Sequence, residues 1–352
     1  MSIIAHNYRF VVGVDTHARH HVYSVICTDT GRLVGVRKFP ASRAGFIRAI
    51  SWVVKQAGDG EGILWVVEGT GSYGAGLTRM LTGGGFSVVE APRVDKQHRY
   101  GVGKTDQIDS VLIARAALSL ETSKQRNPRR GDGVRQAVRV LVTARELMTR
   151  QHTQAVNALT ALVRTVDLGI DSRYGLSKTV IRQINTWRTR NEPVEIRIAR
   201  AEAKRLARQI IDLDDQLHSN EKNLQELIKQ TEAAPLLEET GYGVISVAKC
   251  LTAWSHHGRI QTEAQFAALA GVNPIPASSG NTVRHRLNRG GDRRLNSAIH
   301  TIAITKMTHD EQTRKYVEKR QKQGKTNREI RRCLKRYITR HIYRTLNTQP
   351  TT

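Results

Sequence analysis

Five consecutive apolar residues, Ile63-Leu-Trp-Val-Val67, constrain this chain more than any other stretch. A strand without alternation has no side to turn to water, so it needs cover on both faces, which parallel sheets obtain from crossover helices. The flanking sequence supplies both partners. Phe10-Val-Val-Gly-Val14 and residues 22–27 and 32–39 read as strands, the last two joined by the turn Thr28-Asp29-Thr30-Gly31. Residues 42–56 read as a helix capped by Ser42, with Phe46, Ile50, Val53 and Val54 as its stripe. A helix over 74–81, a strand over 86–89 and an apolar helix over 111–120 follow, giving the order β-β-β-α-β-α-β-α. Three antiparallel strands thus precede parallel crossovers, and residues 1–8 read as a loose tail.

Parallel strands end on one side of their sheet, where polar groups face a common crevice. Asp15 and Glu68 follow two such strands, and Asp106 and Asp109 lie in Lys104-Thr-Asp-Gln-Ile-Asp-Ser110, which opens the 111–120 helix. Three apart, these two aspartates share a helix face. Each acid has a plain reading, since strand ends meet water and a helix N-terminus favours negative charge by about 0.3–1 kcal/mol. Four carboxylates around one crevice instead suit Mg²⁺, which holds substrate phosphates; two such ions can clamp the attacking and leaving oxygens of a phosphodiester. Gly69-Thr-Gly71-Ser-Tyr-Gly74 also fits the dinucleotide pattern, with Glu90 about where a ribose-binding acid falls. It follows the fourth strand rather than a first one, so a tight turn is the better reading.

The net charge is +25, made of +5 in residues 1–125, +7 in 126–232 and +13 in 233–352, so the excess gathers toward the C-terminus. A polyanionic partner follows, nucleic acid before membrane. No apolar run approaches membrane-spanning length and no signal peptide is read. Cys27, Cys250 and Cys333 have no metal spacing, which fits a reducing, cytoplasmic setting with each cysteine as core.

A basic, breaker-rich linker over 121–133 leads into a seam of Val134, Val138, Leu141, Met148, Ala155, Leu159 and Leu162, interrupted by Arg145 and His152. A second seam runs through Ile196, Ala199, Ala203, Leu206, Ile210, Leu213, Leu217, Asn220, Leu224 and Leu227. Strict 3-4 spacing with one polar position, Asn220, is the pattern of a coiled coil, paired within or between chains. Residues 235–248 resemble a helix-hairpin-helix, whose Gly241-Tyr-Gly243 turn would point N–H groups at a phosphate; an ordinary helix turn is the alternative. Farther on, Ser278 and Ser279 sit between prolines and an arginine cluster, either as a flexible turn or as a nucleophile surrounded by positive charge. Arg284, Arg286, Arg289, Arg293 and Arg294 follow, and Arg331, Arg332, Lys335 and Arg336 line a last helix with Ile330, Leu334, Ile338 and Ile342 on its apolar side. Phosphate contact is the better reading of so lopsided a run; it gives affinity without sequence readout.

Gly13-Val-Asp15-Thr-His17, Val67-Glu68-Gly-Thr-Gly-Ser-Tyr73 and Lys104-Thr-Asp106-Gln-Ile-Asp109 together resemble the DEDD transposases of bacterial insertion sequences, the Piv/MooV-type recombinases. The resemblance covers roughly residues 10–120 and 235–310. It implies a RuvC/ribonuclease-H-like α/β domain over 8–125, a linker and coiled coil over 126–232, and a mostly helical transposase domain over 233–347. It places the metal-binding tetrad on Asp15, Glu68, Asp106 and Asp109, and Mg²⁺ is the metal expected. The A-G-x-x-P-x-x-x-x-S-G match over 270–280 places the catalytic serine on Ser279 rather than Ser278. It further implies donor and target DNA, a structured bridge RNA that pairs with both, and dimers assembling into a tetramer near the nucleoid. The rival readings are a RuvC-like metal-dependent, structure-selective endonuclease without a covalent step, a non-catalytic nucleic-acid-binding regulator, and a dinucleotide enzyme.

Overall fold

The computed structural model describes residues 2–58, 62–92, 106–131, 133–171, 173–188, 190–277 and 285–348. The chain divides into two compact units, Met1–Asp132 with Trp254–Gln265, and Gly133–Ala253 with Phe266–Thr352. The first is a mixed α/β sheet structure and the second is mostly helical.

In the first unit, a short helix α1 (Ile4–Asn7) precedes β1 (Phe10–Thr16), β2 (His20–Cys27) and β3 (Leu33–Pro40). Then come α2 (Arg43–Ala57), β4 (Ile63–Val67), α3 (Ala75–Gly83), β5 (Ser87–Glu90) and α4 (Asp106–Leu118). The five strands lie in the order β3-β2-β1-β4-β5, with β1 antiparallel to β2 and parallel to β4, and β4 parallel to β5. Every residue of β4 is buried, as an uninterrupted apolar strand requires. Alternation sends Val12, Val14, Trp65 and Val67 into one core with Phe46, Ala49, Val53, Leu77 and Leu81 of α2 and α3. Val11, Leu64 and Val66 face the other way, against Ile113, Ala114 and Ala117 of α4. Each such apolar side chain taken fully out of water contributes about 1.5–3 kcal/mol. The N-terminal stretch is not a loose tail: Ile4 is fully buried in this second core and its N–H donates to the Leu120 carbonyl at 3.0 Å. A sequence reading that sees one isoleucine pair among polar residues has no periodicity from which to detect such a plug.

The helix α4 lies directly on β1. A Cβ built on Gly13 would stand 2.1 Å from the Ser110 carbonyl oxygen and 2.7 Å from the Ala114 nitrogen, both backbone. From β2, the buried Ser24 hydroxyl donates to that same Ser110 carbonyl at 2.7 Å. The start of α4 is therefore pinned to the middle of the sheet, one residue past Asp109.

In the second unit, α5 (Gly133–Thr165) and α7 (Val194–Ile228) are long helices that pack antiparallel, with α6 (Lys178–Asn185) against α7. All ten seam positions of α7 are buried or half-buried. The polar interruptions are cross-helix pairs: Arg145 donates to the Leu217 carbonyl at 2.7 Å and to Glu221 at 3.0 Å, and His152 lies 3.2 Å from Asp214. Asn220 donates to the Leu141 carbonyl at 3.1 Å, and its buried Oδ1 has no partner among the described residues. The remainder comprises α8 (Val244–Trp254), α9 (Glu263–Leu269), the two-stranded hairpin β6 (Pro274–Pro276) and β7 (His285–Leu287), α10 (Arg293–His309), α11 (Glu311–Lys322) and α12 (Asn327–Asn347). A capping box between Thr326 and Glu329 starts α12, which buries Ile330, Leu334, Ile338 and Ile342. Cys250 is buried as expected, but Cys27 is half-buried and Cys333 exposed on α12.

Gly13→Ala is expected to destabilise the protein by about 1–3 kcal/mol, because the atoms it meets are backbone and cannot rotate away. A urea melt of the variant that superimposes on wild type would show that α4 does not rest on β1.

Candidate metal centre and basic surface

The register of β1 sets the centre. Val11, Gly13 and Asp15 point to the α4 side, so the last of them carries its carboxylate to the end of the strand nearest the pinned start of α4. Asp15 is 5% exposed. Two residues on, His17 places Nε2 3.0 Å from Asp15 Oδ2 and 3.6 Å from Asp106 Oδ1, and His20 Nε2 lies 3.3 Å from Asp106 Oδ2. Ligand atoms of Asp15, His17 and Asp106 all fall within 4.8 Å of one another. An O, N, O donor set so spaced fits a hard or borderline divalent cation, and the imidazole joins two carboxylates that would otherwise repel.

Of the four predicted acids, the structure brings Asp15 and Asp106 together. Glu68 is exposed one residue beyond β4; its backbone is tied beside Asp15, with its N–H donating to the Val14 carbonyl and its carbonyl accepting from the Thr16 hydroxyl, each at 3.1 Å. Asp109 is half-buried one turn along α4. Neither joins the three-residue group, and Lys104 and Thr105 lie outside the described residues. The histidines were missed as site residues, although an Asp-x-His at a strand end, spaced two apart, was available as a signal. A hydrogen bond from His20, reinforced by the charges of His17, His20 and Lys38, holds the Asp106 carboxyl below its ordinary range.

The glycine-rich stretch after β4 is a tight turn. Gly69 has φ +58°, and a Cβ on Gly74 would stand 2.6 Å from the Glu68 carbonyl oxygen. Glu90, at the end of β5, is engaged by Thr70 at 3.0 Å and by the buried Arg259 guanidinium at 3.6 Å.

In the second unit, Arg286 lies exposed on β7, Arg289 just beyond it, and Arg293 and Arg294 on the first turn of α10, where Arg294 pairs with Glu146 at 2.6 Å. Arg332 is exposed on α12, while Arg331, Lys335 and Arg336 are half-buried. Ser278, Ser279 and Arg284 lie outside the described residues. The Gly241 turn packs on α10: φ is +93°, and a Cβ there would stand 2.8 Å from Lys306 Cγ. Among the described residues no helix is long and apolar enough to cross a membrane.

Two family models match the chain: an IS110-type DEDD transposase over residues 12–166, and the transposase IS116/IS110/IS902 family over residues 233–318. The chain belongs to the IS110 family of transposases. A protein of insertion element IS900 from Mycobacterium paratuberculosis, named an uncharacterized 42 kDa protein, is 25% identical over 89% of each chain. One of IS116 from Streptomyces clavuligerus is 22% identical over 90% of this chain and 89% of its own. An IS110 protein of Streptomyces coelicolor is 28% identical over 35% of this chain and 31% of its own. Membership in this transposase family makes the chain a DNA recombinase, with DNA as substrate, and sets aside the regulator and dinucleotide readings.

Beneath the centre, His21 is fully buried, stacked on Phe46 at 5.3 Å, and its Nδ1 accepts from the His17 N–H at 3.3 Å. Burial pushes its pKa below the ordinary 6.5. Below that value the unfolded chain binds a proton that the folded chain refuses, so stability falls as the pH drops through it. The urea midpoint is expected to fall more steeply from pH 7 to about 5.5 in wild type than in His21→Asn. Equal slopes would mean that the folded protein accepts the proton.

Proposed function

We propose that this transposase cuts and rejoins DNA through a phosphoserine intermediate, in a ribonuclease-H-like nuclease fold that works with a second, serine-bearing region. The observation that carries the reading is the convergence of Asp15, His17 and Asp106 at the end of the central strand. The strand order β3-β2-β1-β4-β5 supports the RuvC/ribonuclease-H assignment. Asp15 and Asp106, with Glu68 and Asp109 from the adjoining segments, would hold Mg²⁺, and His17 would complete or orient the set. When bound, the cation supplies positive charge to the scissile phosphate.

The other steps belong to the chain's own residues. Arg286, Arg289, Arg293 and Arg294, with Arg284, draw the phosphate backbone to the serine loop, and Arg331, Arg332, Lys335 and Arg336 extend that surface. Ser279 Oγ forms a bond to phosphorus as the bond to a sugar oxygen breaks; the serine loses its proton to a base and the sugar oxygen gains one. A strand end of the partner DNA then attacks the phosphoserine ester, releasing Ser279 and joining the strands. Sequence choice falls to a bridge RNA pairing with donor and target, which suits a chain rich in backbone-binding charge. The acids and Ser279 belong to different compact units. We infer composite catalysis shared between protomers, dimers pairing into a tetramer, the α5 and α7 pair acting as a coiled coil, and work at the bacterial nucleoid.

Ser279→Ala is expected to abolish both strand cleavage and the protein–DNA adduct on denaturing gels, and Asp15→Asn to abolish cleavage by well over about 100-fold. Chelation of divalent metal should do the same as Asp15→Asn. Undiminished cutting by Ser279→Ala would replace this reading with a metal-and-water endonuclease.

A further inference from the structure

The base of the β6–β7 hairpin is tied down at several points within the second unit. The Asn288 amide donates to Asn273 Oδ1 at 2.7 Å and to the Ala268 carbonyl at 3.3 Å, and the Asp292 N–H donates to the Leu269 carbonyl at 2.7 Å. Gly291 and Gly271 run so close that a Cβ on Gly291 would meet the Gly271 nitrogen at 2.5 Å. The remaining tie is of a different kind. Asn296, on the first turn of α10, donates from Nδ2 to the Ala270 carbonyl at 2.7 Å, while its Oδ1 accepts from Lys335 Nζ at 2.8 Å.

Lys335 lies on α12, half-buried, and its ammonium donates to an amide oxygen rather than to a carboxylate. Burial and the nearby Arg331 push its ammonium pKa below the ordinary value, and His300, one turn beyond Asn296, is pushed down by burial and by the same two cations. A cation held by a neutral amide oxygen among other cations is short of an anion. The neutral amide serves both neighbours at once, since it donates toward a carbonyl on one side and accepts from an ammonium on the other.

We propose that Asn296 is a positioning residue for strand exchange, its amide coupling the base of the β6–β7 hairpin to the Lys335 ammonium so that a DNA phosphate held by Lys335 is registered against that base. This rests on the reading of Ser279 as nucleophile. Removing the amide leaves both ends in place and unlinked. Chemistry then suffers more than DNA affinity, because a small misplacement of a reacting group costs up to about 100-fold in rate while contacts away from it persist.

The test uses the full chain with a duplex carrying the joined ends of its own insertion element, and RNA transcribed from the element's non-coding flank. Asn296→Ala and Asn296→Asp are compared with wild type; the aspartate keeps an acceptor for Lys335 but faces the Ala270 carbonyl with oxygen. At saturating DNA, adduct formation is expected to slow by about 10–100-fold, with the half-saturating DNA concentration within about threefold of wild type. In the free protein, amide exchange of residues 285–287 should accelerate in both variants with little change in melting temperature. Wild-type adduct rates, a loss of affinity in proportion to the loss of rate, or unchanged exchange at 285–287 would each overturn the role given to Asn296. Absence of adduct from wild type itself would fail the serine reading instead, and the exchange measurement would then decide the coupling alone.

Discussion

The contact on which the first unit depends is backbone against backbone: Gly13 in the central strand and the Ser110 carbonyl in α4, with no side chain between them. Here the separation is fixed by the absence of one methyl group, and Ser24 adds a buried hydrogen bond to the same carbonyl. The first turn of α4 then has one place to be, and Asp106 reaches the histidines beside Asp15. Placement of a charged group within hydrogen-bonding distance thus follows from a glycine distant in the sequence but adjacent in space to the helix that carries it.

Much of this was legible in the sequence for a physical reason. Apolar periodicity reports burial, so the strands, α2 and the α7 seam could be read residue by residue, and Asp15 and Glu68 stood out because a carboxylate after a buried run marks a strand end. Other features had no such signal. Ile4 closes the core from a stretch too short to show a period. Arg145 and His152 looked like defects in the seam; each reaches a partner on α7, which only the antiparallel pairing brings into range. Cys333, which composition alone assigns to a core, is exposed on α12, because the apolar face of that helix is filled by Ile330, Leu334, Ile338 and Ile342. A histidine beside a turn has many ordinary uses, so spacing alone does not assign His17 and His20 to the site; His17 is distinguished by its distances to Asp15 and Asp106, and His20 by its distance to Asp106.

The two units solve different electrostatic problems. In the first, carboxylates converge at one strand end, where a hydrogen bond from His20 and the charges of His17, His20 and Lys38 hold the Asp106 carboxyl below its ordinary range. In the second, positive charge is spread along exposed turns of α10 and α12 over an apolar seam that anchors them, so arginines can face a polyanion while the helices stay packed. Two amides inside that unit, Asn220 and Asn296, satisfy backbone carbonyls without adding to the charge.

Residues Trp254–Gln265 belong to the first unit although 121 residues of the second precede them. Through them the nearly buried Arg259 reaches Glu90 at the end of β5, and the Gly258 carbonyl accepts from Asn127 at 3.1 Å. The nuclease-like module is consequently discontinuous in the gene. A fragment ending near residue 132 would leave Glu90 without its guanidinium, and one beginning there would carry an orphaned arginine loop. Neither half of the chain, cut at that point, carries a complete first unit.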